Sequence, residues 1–460
     1  MRLLSEIPYR ADSAALFEPL ADRPWAAFLD SGRPAVEGGR FDILAADPWV
    51  TLVTRGGLTE IRSPEQVSLS PEDPFALLRR YLGEQTTPLP GLPFSGGALG
   101  WFGYDLGRRI ERMPVLAEDA EHIPDMAVGL YDWALVVDHL EQRAWLAGQG
   151  RDPRTRNRWQ DLVALFRQPA AGPPRSFRVT GAVRSNMSKD RYAGAFERIQ
   201  HYILEGDCYQ VNLAQRFVAP AEGDPWAGYR DLRRLNPAPF SAYLATPYAT
   251  VLSSSPERFL RVRGGAVETK PIKGTRPRGA SPEADSALAQ ELAGSPKDRA
   301  ENLMIVDLLR NDIGRVCAPG SVRVPKLFDV ESYATVHHLV STITGRLALG
   351  EDATSLLRAC FPGGSITGAP KIRAMEIIEE LEPHRRGVYC GAIGYLGYDG
   401  AMDTNIAIRT LVLSRGTIRF WAGGGIVHDS QMEQEYQETF DKAAALLRLL
   451  EQGQLADVGG

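Results

Sequence analysis

The chain has 460 residues, 44% of them hydrophobic and 24% charged, and a formal net charge of −5. That balance excludes a disordered chain and argues against nucleic acid or an anionic membrane as partner. No apolar run approaches the ~18 residues of a membrane span, and the N-terminus MRLLSEIPYRAD has no signal core, so a cytoplasmic enzyme is expected.

Residues 1–167 read as a strand-rich N-terminal lobe, with strands at Trp25–Asp30, Trp49–Thr54 and Met126–Asp138 bounded by Gly, Pro and Asp. The stretch QPAAGPPR, 168–175, has the composition of a connection between lobes. From 176 to 450, helical spacing appears at Ser188–Glu205, Pro282–Leu292, Asp298–Leu309 and Glu433–Leu450. Strands are expected between them at Ala242–Leu252, Glu257–Val262, Val388–Tyr395, Ile406–Leu413 and Thr417–Ala422, with 451–460 as a tail. No G-x-G-x-x-G or G-x-x-x-x-G-K-[ST] opens a helix, which argues against Rossmann and P-loop folds. Cys208, Cys317, Cys360 and Cys390 have no C-x-x-C spacing and read as buried thiols.

Only seven of the 52 basic residues are lysine: Lys189, Lys270, Lys273, Lys297, Lys326, Lys371 and Lys442. An amine can lose its proton and attack where a guanidinium cannot, so these positions are worth inspecting for chemistry. Lys273 lies in ETKPIKGT, after a hairpin turning at Gly264–Gly265. A three-residue loop would set Glu257 opposite Lys273, and a two-residue turn would set Ile272 there; the sequence leaves both open. In the first case a base and a nucleophile meet, against the alternative of a surface salt bridge.

Two acid pairs stand three apart on helices, Asp298 with Glu301 and Glu435 with Glu438. Such pairs are common on solvated faces. The apolar run LMIVDLL after the first pair instead points to burial, where four oxygen donors without histidine or cysteine suit Mg²⁺. Two glycine clusters, Gly363–Gly364 and Gly423–Gly425, read either as tight turns or as backbone cradles for an anion. Ser365, Thr367 and Lys371 stand beside one, Arg409 and Lys442 beside the other. His338 is a candidate donor or acid, although a lone histidine in an apolar segment is commonly a satisfied core residue.

Taken together, DRAENLMIVDLLRNDIGRV, HHLVSTITG, FPGGSITGAPK, GYLGYDGAMDTNIAIRT and AGGGIVHDSQMEQEYQETFDKA resemble the chorismate-utilising family in order and spacing. That resemblance covers about 180–445, and RFDILAADP and FSGGALGWFGYDLGRRIE resemble its amidotransferase-coupled members. It implies an α+β fold of two packed lobes, antiparallel sheets covered by helices, with the active site in the cleft between the lobes. It implies Mg²⁺ on Glu301 and Glu438, with Asp298 and Glu435 in reach through water. Chorismate would be held by Arg409, Tyr395 and the amides of Gly424 and Gly425, with Lys442, Thr275, Thr367 and His338 lining the site. PIKGT resembles the aminodeoxychorismate-forming branch, whereas the anthranilate-forming branch carries PIAGT. That implies Lys273 as nucleophile, Glu257 as general acid or base, and ammonia from a separate glutamine amidotransferase subunit. The alternatives are anthranilate formation or a non-catalytic metabolite-binding subunit. Ser31, Gly38, Gly39, Arg40, Phe41, Pro239, Phe240 and Ser241 match positions that hold tryptophan in some members.

Overall fold

The computed structural model describes residues 3–36, 38–169, 172–333 and 336–455. Its strands form two broad sheets in which every ladder is antiparallel. Each sheet draws strands from both halves of the chain. Ala27–Asp30 pairs with Phe240–Ala245 in the first sheet, with Leu29 opposite Ala242. Gly97–Phe102 pairs with Ala392–Gly397 in the second, with Trp101 opposite Ile393. The segment 1–167 therefore extends both sheets of one body. The linker-like stretch 168–175 lies alongside that body, and its residues 170–171 fall outside the described residues.

Burial on both faces explains the layering: Met126–Tyr131 and Trp133–Asp138 are buried throughout and read as nearly continuous apolar runs. Trp101, Val136, Val251, Ile393 and Val412 fill the space between the sheets. Phe17, Trp226, Tyr229 and Leu446 join helices to the outer face of the first sheet. Phe75, Leu78, Ile305, Leu309 and Leu356 do the same on the second. None of the described helices is long and apolar enough to cross a membrane.

Helix starts follow the capping residues. Ser188 caps Lys189–Leu204 through the Arg191 amide, and Ser295, followed by Pro296, opens Pro296–Gly314. The latter begins before the expected Asp298 because the cap and the proline precede it. Its apolar run is not buried all round: Ile305 and Leu309 face the core while Leu303 is 45% exposed. The last helix spans Met432–Leu455, so the expected tail boundary at 451 falls inside a helix, and 456–460 lie outside the described residues.

Several expected strands are interrupted by turns. Met126–Asp138 divides at Asp132, and Ala242–Leu252 is a hairpin of Phe240–Ala245 with Thr250–Ser255. Val388–Tyr395 begins only at Ala392, after a buried turn containing Cys390 at φ 62°. Ile406–Leu413 divides into Met402–Ile406 and Thr410–Ser414, which belong to different sheets. The chain crosses between the sheets at Arg409, where φ is 50°. A second crossing lies beside it, between Thr250–Ser255 and Arg258–Arg263, at Glu257. The two are tied together: Ser254 N–H donates to the Arg409 carbonyl (3.0 Å) and Ile406 N–H to the Glu257 carbonyl (3.0 Å).

Lys371, expected beside a glycine cradle, is structural. Its Nζ donates to Asp312 Oδ2 (2.5 Å) and to the Cys360 carbonyl (3.0 Å), joining two motifs far apart in sequence. Asp312 is 1% exposed, so removing its cation strands a buried carboxylate. Lys371→Met should lower stability in chemical denaturation by about 3–5 kcal/mol. Replacing Asp312 with leucine in the same chain should recover much of that loss.

Candidate functional site

The two crossings open into a cavity of about 700 Å³ lined entirely by residues between 212 and 442. It lies between the C-terminal parts of the two sheets, and among the described residues none of 1–167 lines it. The expected cleft between N- and C-terminal lobes is thereby corrected: the N-terminal strands broaden both sheets away from this cavity.

Lys273 owes its direction to a bulge. The hairpin before it has a two-residue turn at Gly264 and Gly265, both at positive φ, with Arg263 opposite Ala266. Of the two registers open in the sequence, this is the one that sets Ile272, not Lys273, opposite Glu257. The strand Ile272–Pro277 then slips by one residue against Val336–Arg346: Ile272 faces Val340, but Thr275 faces His338. Gly274 takes φ 80° in the slip, and a Cβ there would meet Asp298 Cγ at 2.8 Å. Bulges of this kind re-aim a side chain. Lys273 Nζ reaches the Ser365 carbonyl (3.1 Å). Burial lowers its pKa, against the pull of Glu301 and Glu257; among its neighbours Lys442 acts in the same direction as burial.

Glu257 is 5% exposed, and burial raises its pKa despite hydrogen bonds from Ser365 and the Ile272 amide and the charge of Lys273. Ser365 Oγ donates to Glu257 Oε1 (2.8 Å). A buried carboxyl held toward its protonated form beside an amine held toward its free base can serve acid–base and nucleophilic chemistry.

Across the cavity, Pro296–Gly314 presents Asp298 and Glu301, and Met432–Leu455 presents Glu435 and Glu438. Burial, with other carboxylates nearby, raises Glu301 and Glu435. For Glu438 burial is outweighed by Lys442, Lys297 and Lys273, and its pKa is lowered. Lys442 Nζ lies 2.6 Å from Glu438 Oε1 and 2.9 Å from the Gly423 carbonyl. Asp298 accepts from Arg276 (3.2 Å). Among the described residues no three acidic, histidine or cysteine side chains converge as a ready-made metal centre. Glu435 and Glu438 instead converge over Gly424, where a Cβ would lie 3.1 Å and 3.2 Å from their oxygens. This donor chemistry fits Mg²⁺, which is held by one or two carboxylates, waters and substrate oxygens.

Gly423–Gly425 form no turn; they continue the strand Thr417–Ile426, with Asn212 opposite Gly425 and Leu213 opposite Gly424. On the other side, pairing with Thr410–Ser414 stops at Phe420, so the edge beyond is open. Successive N–H groups of an extended strand point opposite ways. Only one of the Gly424 and Gly425 amides can therefore face that open edge, where both had been expected to serve. Arg409 is largely buried, and burial lowers its pKa. Its guanidinium has no carboxylate partner among the described residues. His338 is pushed down to about 4, first by burial and then by Arg409, so it is neutral, with Nδ1 2.9 Å from Thr275 Oγ1.

Two expected residues stand elsewhere. Thr367 is fully buried and bonds the Gly363 and Gly364 carbonyls (3.0 and 3.3 Å), shaping the turn behind the cavity. Tyr395 packs against Phe94, their rings tilted by 52°, and lines a different cavity, because the strand Ala392–Gly397 turns it away. The aromatic rings that do line the first cavity are Tyr389 and Trp421, stacked at 5.9 Å and 6°. Sequence reading missed both, along with Asn212 and Arg276, whereas Ser365, named beside a glycine cradle, and Lys297, one of the seven lysines, do line the cavity. The Cys390 turn that separates Tyr389 from Tyr395 left no sign in the sequence.

Tyr395 belongs with the second cavity, of about 400 Å³, which gathers Ser31, Gly38, Gly39, Arg40, Phe41, Pro239, Phe240 and Ser241. Asp42 fixes Ser31 through its amide and hydroxyl (2.7 Å each) and is itself held by His139 (2.8 Å). Arg40 is clamped to Asp138 (2.9 Å) and lies over Phe41.

A family model for chorismate binding enzymes matches residues 39–448. The chain belongs to the chorismate binding enzyme family. Aminodeoxychorismate synthase component 1 of Klebsiella aerogenes is 54% identical over 449 residues, 97% of this chain and 98% of that protein. Anthranilate synthase component 1 of Thermus thermophilus is 42% identical over 438 residues, 94% of each. The crystal structure of anthranilate synthase component I from Streptococcus pneumoniae superimposes with a TM-score of 0.78 at 35% identity, covering 88% of this chain and 92% of that one. The two sheets and helical covers are thus the chorismate-utilising fold.

In a chorismate binding enzyme an unpartnered buried guanidinium costs stability until an anion arrives. Arg409→Met should therefore melt at a temperature no lower than the parent chain, while calorimetric titration with chorismate shows binding weakened at least tenfold.

Proposed function

We propose that this chain is component I of an aminodeoxychorismate synthase, converting chorismate and ammonia to 4-amino-4-deoxychorismate on the way to p-aminobenzoate. The observation that carries the reading is Lys273, a buried amine beside Glu257 in a cavity with separate anion-binding walls. The relatives named for that activity, at 51–54% identity over nearly their whole length, support it.

Chorismate is a dianion. Arg409 and one glycine amide receive its enolpyruvyl carboxylate, with Tyr389 alongside. Glu301 and Glu438 would hold Mg²⁺, with Asp298 and Glu435 behind; bound there, the cation neutralises the ring carboxylate. The Lys273 amine attacks C2 of the ring, the double bonds shift, and the bond from C4 to its hydroxyl breaks. Glu257, protonated, supplies the proton with which that oxygen leaves as water. Ammonia then adds at C4, the shift reverses, the C2–N bond breaks, and the proton shed by the new C4 nitrogen returns to Glu257. Neutral His338 and Thr275 complete the wall as uncharged hydrogen-bonding groups. The ammonia comes from a separate glutamine amidotransferase subunit, in keeping with the words "component 1" in the relatives' names. The second cavity holds tryptophan as a structural ligand, and the enzyme works in the cytoplasm.

Product analysis of the purified chain with chorismate, Mg²⁺ and ammonium, half of it supplied with an aminodeoxychorismate lyase, tests the reading. p-Aminobenzoate only in the lyase half is expected; fluorescent anthranilate in both halves would replace this function with that of the anthranilate branch. Lys273→Ala should abolish any covalent adduct seen by intact mass. Glu301→Gln should raise the Mg²⁺ concentration needed for half-maximal rate, and an unchanged requirement would remove Glu301 from the cation site.

The pH dependence has a definite sign. Lys273 attacks as the free amine, and burial lowers its pKa, so the free-base fraction rises with pH through a value below that of an ordinary lysine. Single-turnover adduct formation should rise with pH as Lys273 loses its proton, below the usual lysine range, and fall again where Glu257 loses the proton it gives to the leaving oxygen.

A further inference from the structure

Ser365 touches both reacting groups through different atoms. Its Oγ donates to Glu257 Oε1 (2.8 Å), and its carbonyl accepts from Lys273 Nζ (3.1 Å). It sits in the short turn Gly364–Ile366 and is 8% exposed. That turn does not need the hydroxyl to keep its shape. Thr367 Oγ1 bonds the Gly363 carbonyl (3.0 Å), while Asn212 Nδ2 (3.0 Å) and Arg386 Nη1 (2.9 Å) both bond the Ile366 carbonyl. Helix Pro296–Gly314 closes it from outside, since a Cβ on Gly364 would meet Leu308 at 2.5 Å. The Ser365 hydroxyl is therefore spent on Glu257 alone.

We propose that Ser365 is a positioning residue: one turn holds the carboxyl by its hydroxyl and the amine by its carbonyl, fixing Glu257 and Lys273 relative to each other. This rests on the roles proposed above for those two residues. A serine hydroxyl that donates to a carboxylate favours the ionised form and fixes which oxygen remains free. The other groups facing Glu257 are the Lys273 amine, the Lys442 ammonium, the Cys390 thiol and the Ile272 amide. None of them replaces the hydroxyl's direction, because each approaches from a different element. The bond to Oε1 sets how the carboxyl is turned toward the cavity.

The consequence separates hydroxyl from backbone. In Ser365→Ala the carbonyl remains, so Lys273 keeps its partner while Glu257 loses the hydroxyl and keeps only the Ile272 amide as donor. The carboxyl then titrates at higher pH, since the bond that favoured the anion is gone. Ser365→Thr keeps a donor and restores the parent behaviour.

The test follows the Glu257 carboxyl by NMR in full-length, ¹³C-glutamate-labelled chain, assigned with Glu257→Gln. This requires no substrate, so it is independent of which product the enzyme makes. The expected result is a titration midpoint raised by about half a pH unit or more in Ser365→Ala and restored in Ser365→Thr. With chorismate, kcat of the alanine variant should fall about tenfold while KM stays within about threefold, because the anion-binding walls are untouched. An unchanged Glu257 midpoint in Ser365→Ala overturns the proposal, as does a kcat equal to that of the parent chain. Melting curves identify an alanine variant that has not folded. In that event the threonine variant decides: a parent-like midpoint and kcat support the proposal, and a loss of both overturns it.

Discussion

The architecture depends on two side-by-side crossings of the chain between sheets. One passes from Thr250–Ser255 to Arg258–Arg263 and the other from Met402–Ile406 to Thr410–Ser414, bonded to each other through Ser254, Arg409, Ile406 and Glu257. A strand that leaves one sheet for another must break its ladder, and its side chains then stand in the gap between layers instead of alternating across one. Glu257 and Arg409 are the residues at those breaks. Because each crossing satisfies the other's backbone, two charged side chains can be aimed inward with little orphaned main chain. The open edge of Gly423–Gly425 follows from the same event, since Thr410–Ser414 starts too late to cover it.

Charge burial sets the chemistry of the resulting cavity. Burial acts on Lys273, Glu257, Glu301, Arg409 and His338 alike, each time toward the neutral form. Neighbouring cations or desolvation could each depress a lysine such as Lys273. In the folded chain its nearest charges are mainly carboxylates, which favour the ammonium, and desolvation is what prevails. The distinction matters for turnover. An amine depressed by desolvation stays a good nucleophile only while water is kept out, so the packing of Trp421, Tyr389 and the glycine strand belongs to the reaction as much as Lys273 does.

Much of this was legible in the residues. Helical spacing marked the helices, and the acid pairs three apart fall on the cavity face because that spacing admits little else. What the sequence could not carry were events that depend on pairing partners. The one-residue slip at Lys273–Gly274 exists only against His338 and Val340, and the alternation that turns Tyr395 away starts from a turn at Cys390. The Gly423–Gly425 run reads equally as a loop or a strand until Asn212 and Leu213 lie beside it. Lys371 looked like a ligand because its motif did, whereas a buried partner 59 residues upstream, Asp312, claims it. The eight residues matched to a second cavity do converge, although from strands that the linker-like stretch had assigned to separate lobes.

That shared sheet explains how one side chain can separate two chemistries on the same frame. The anion walls come from Met432–Leu455, Pro296–Gly314, Thr417–Ile426 and the Arg409 crossing, none of which needs the side chain at 273. The bulge is made by Gly274 and by the pairing of Ile272 and Thr275, again independently of it. An alanine at 273, as in the anthranilate-forming motif, would leave substrate binding intact and remove only the nucleophile. On the proposed reading, a lysine there would attack the same bound chorismate at C2. On that reading, specificity between the branches would rest on one aimed amine and the carboxyl set against it, with the rest of the fold supplying the pocket in which either reaction could begin.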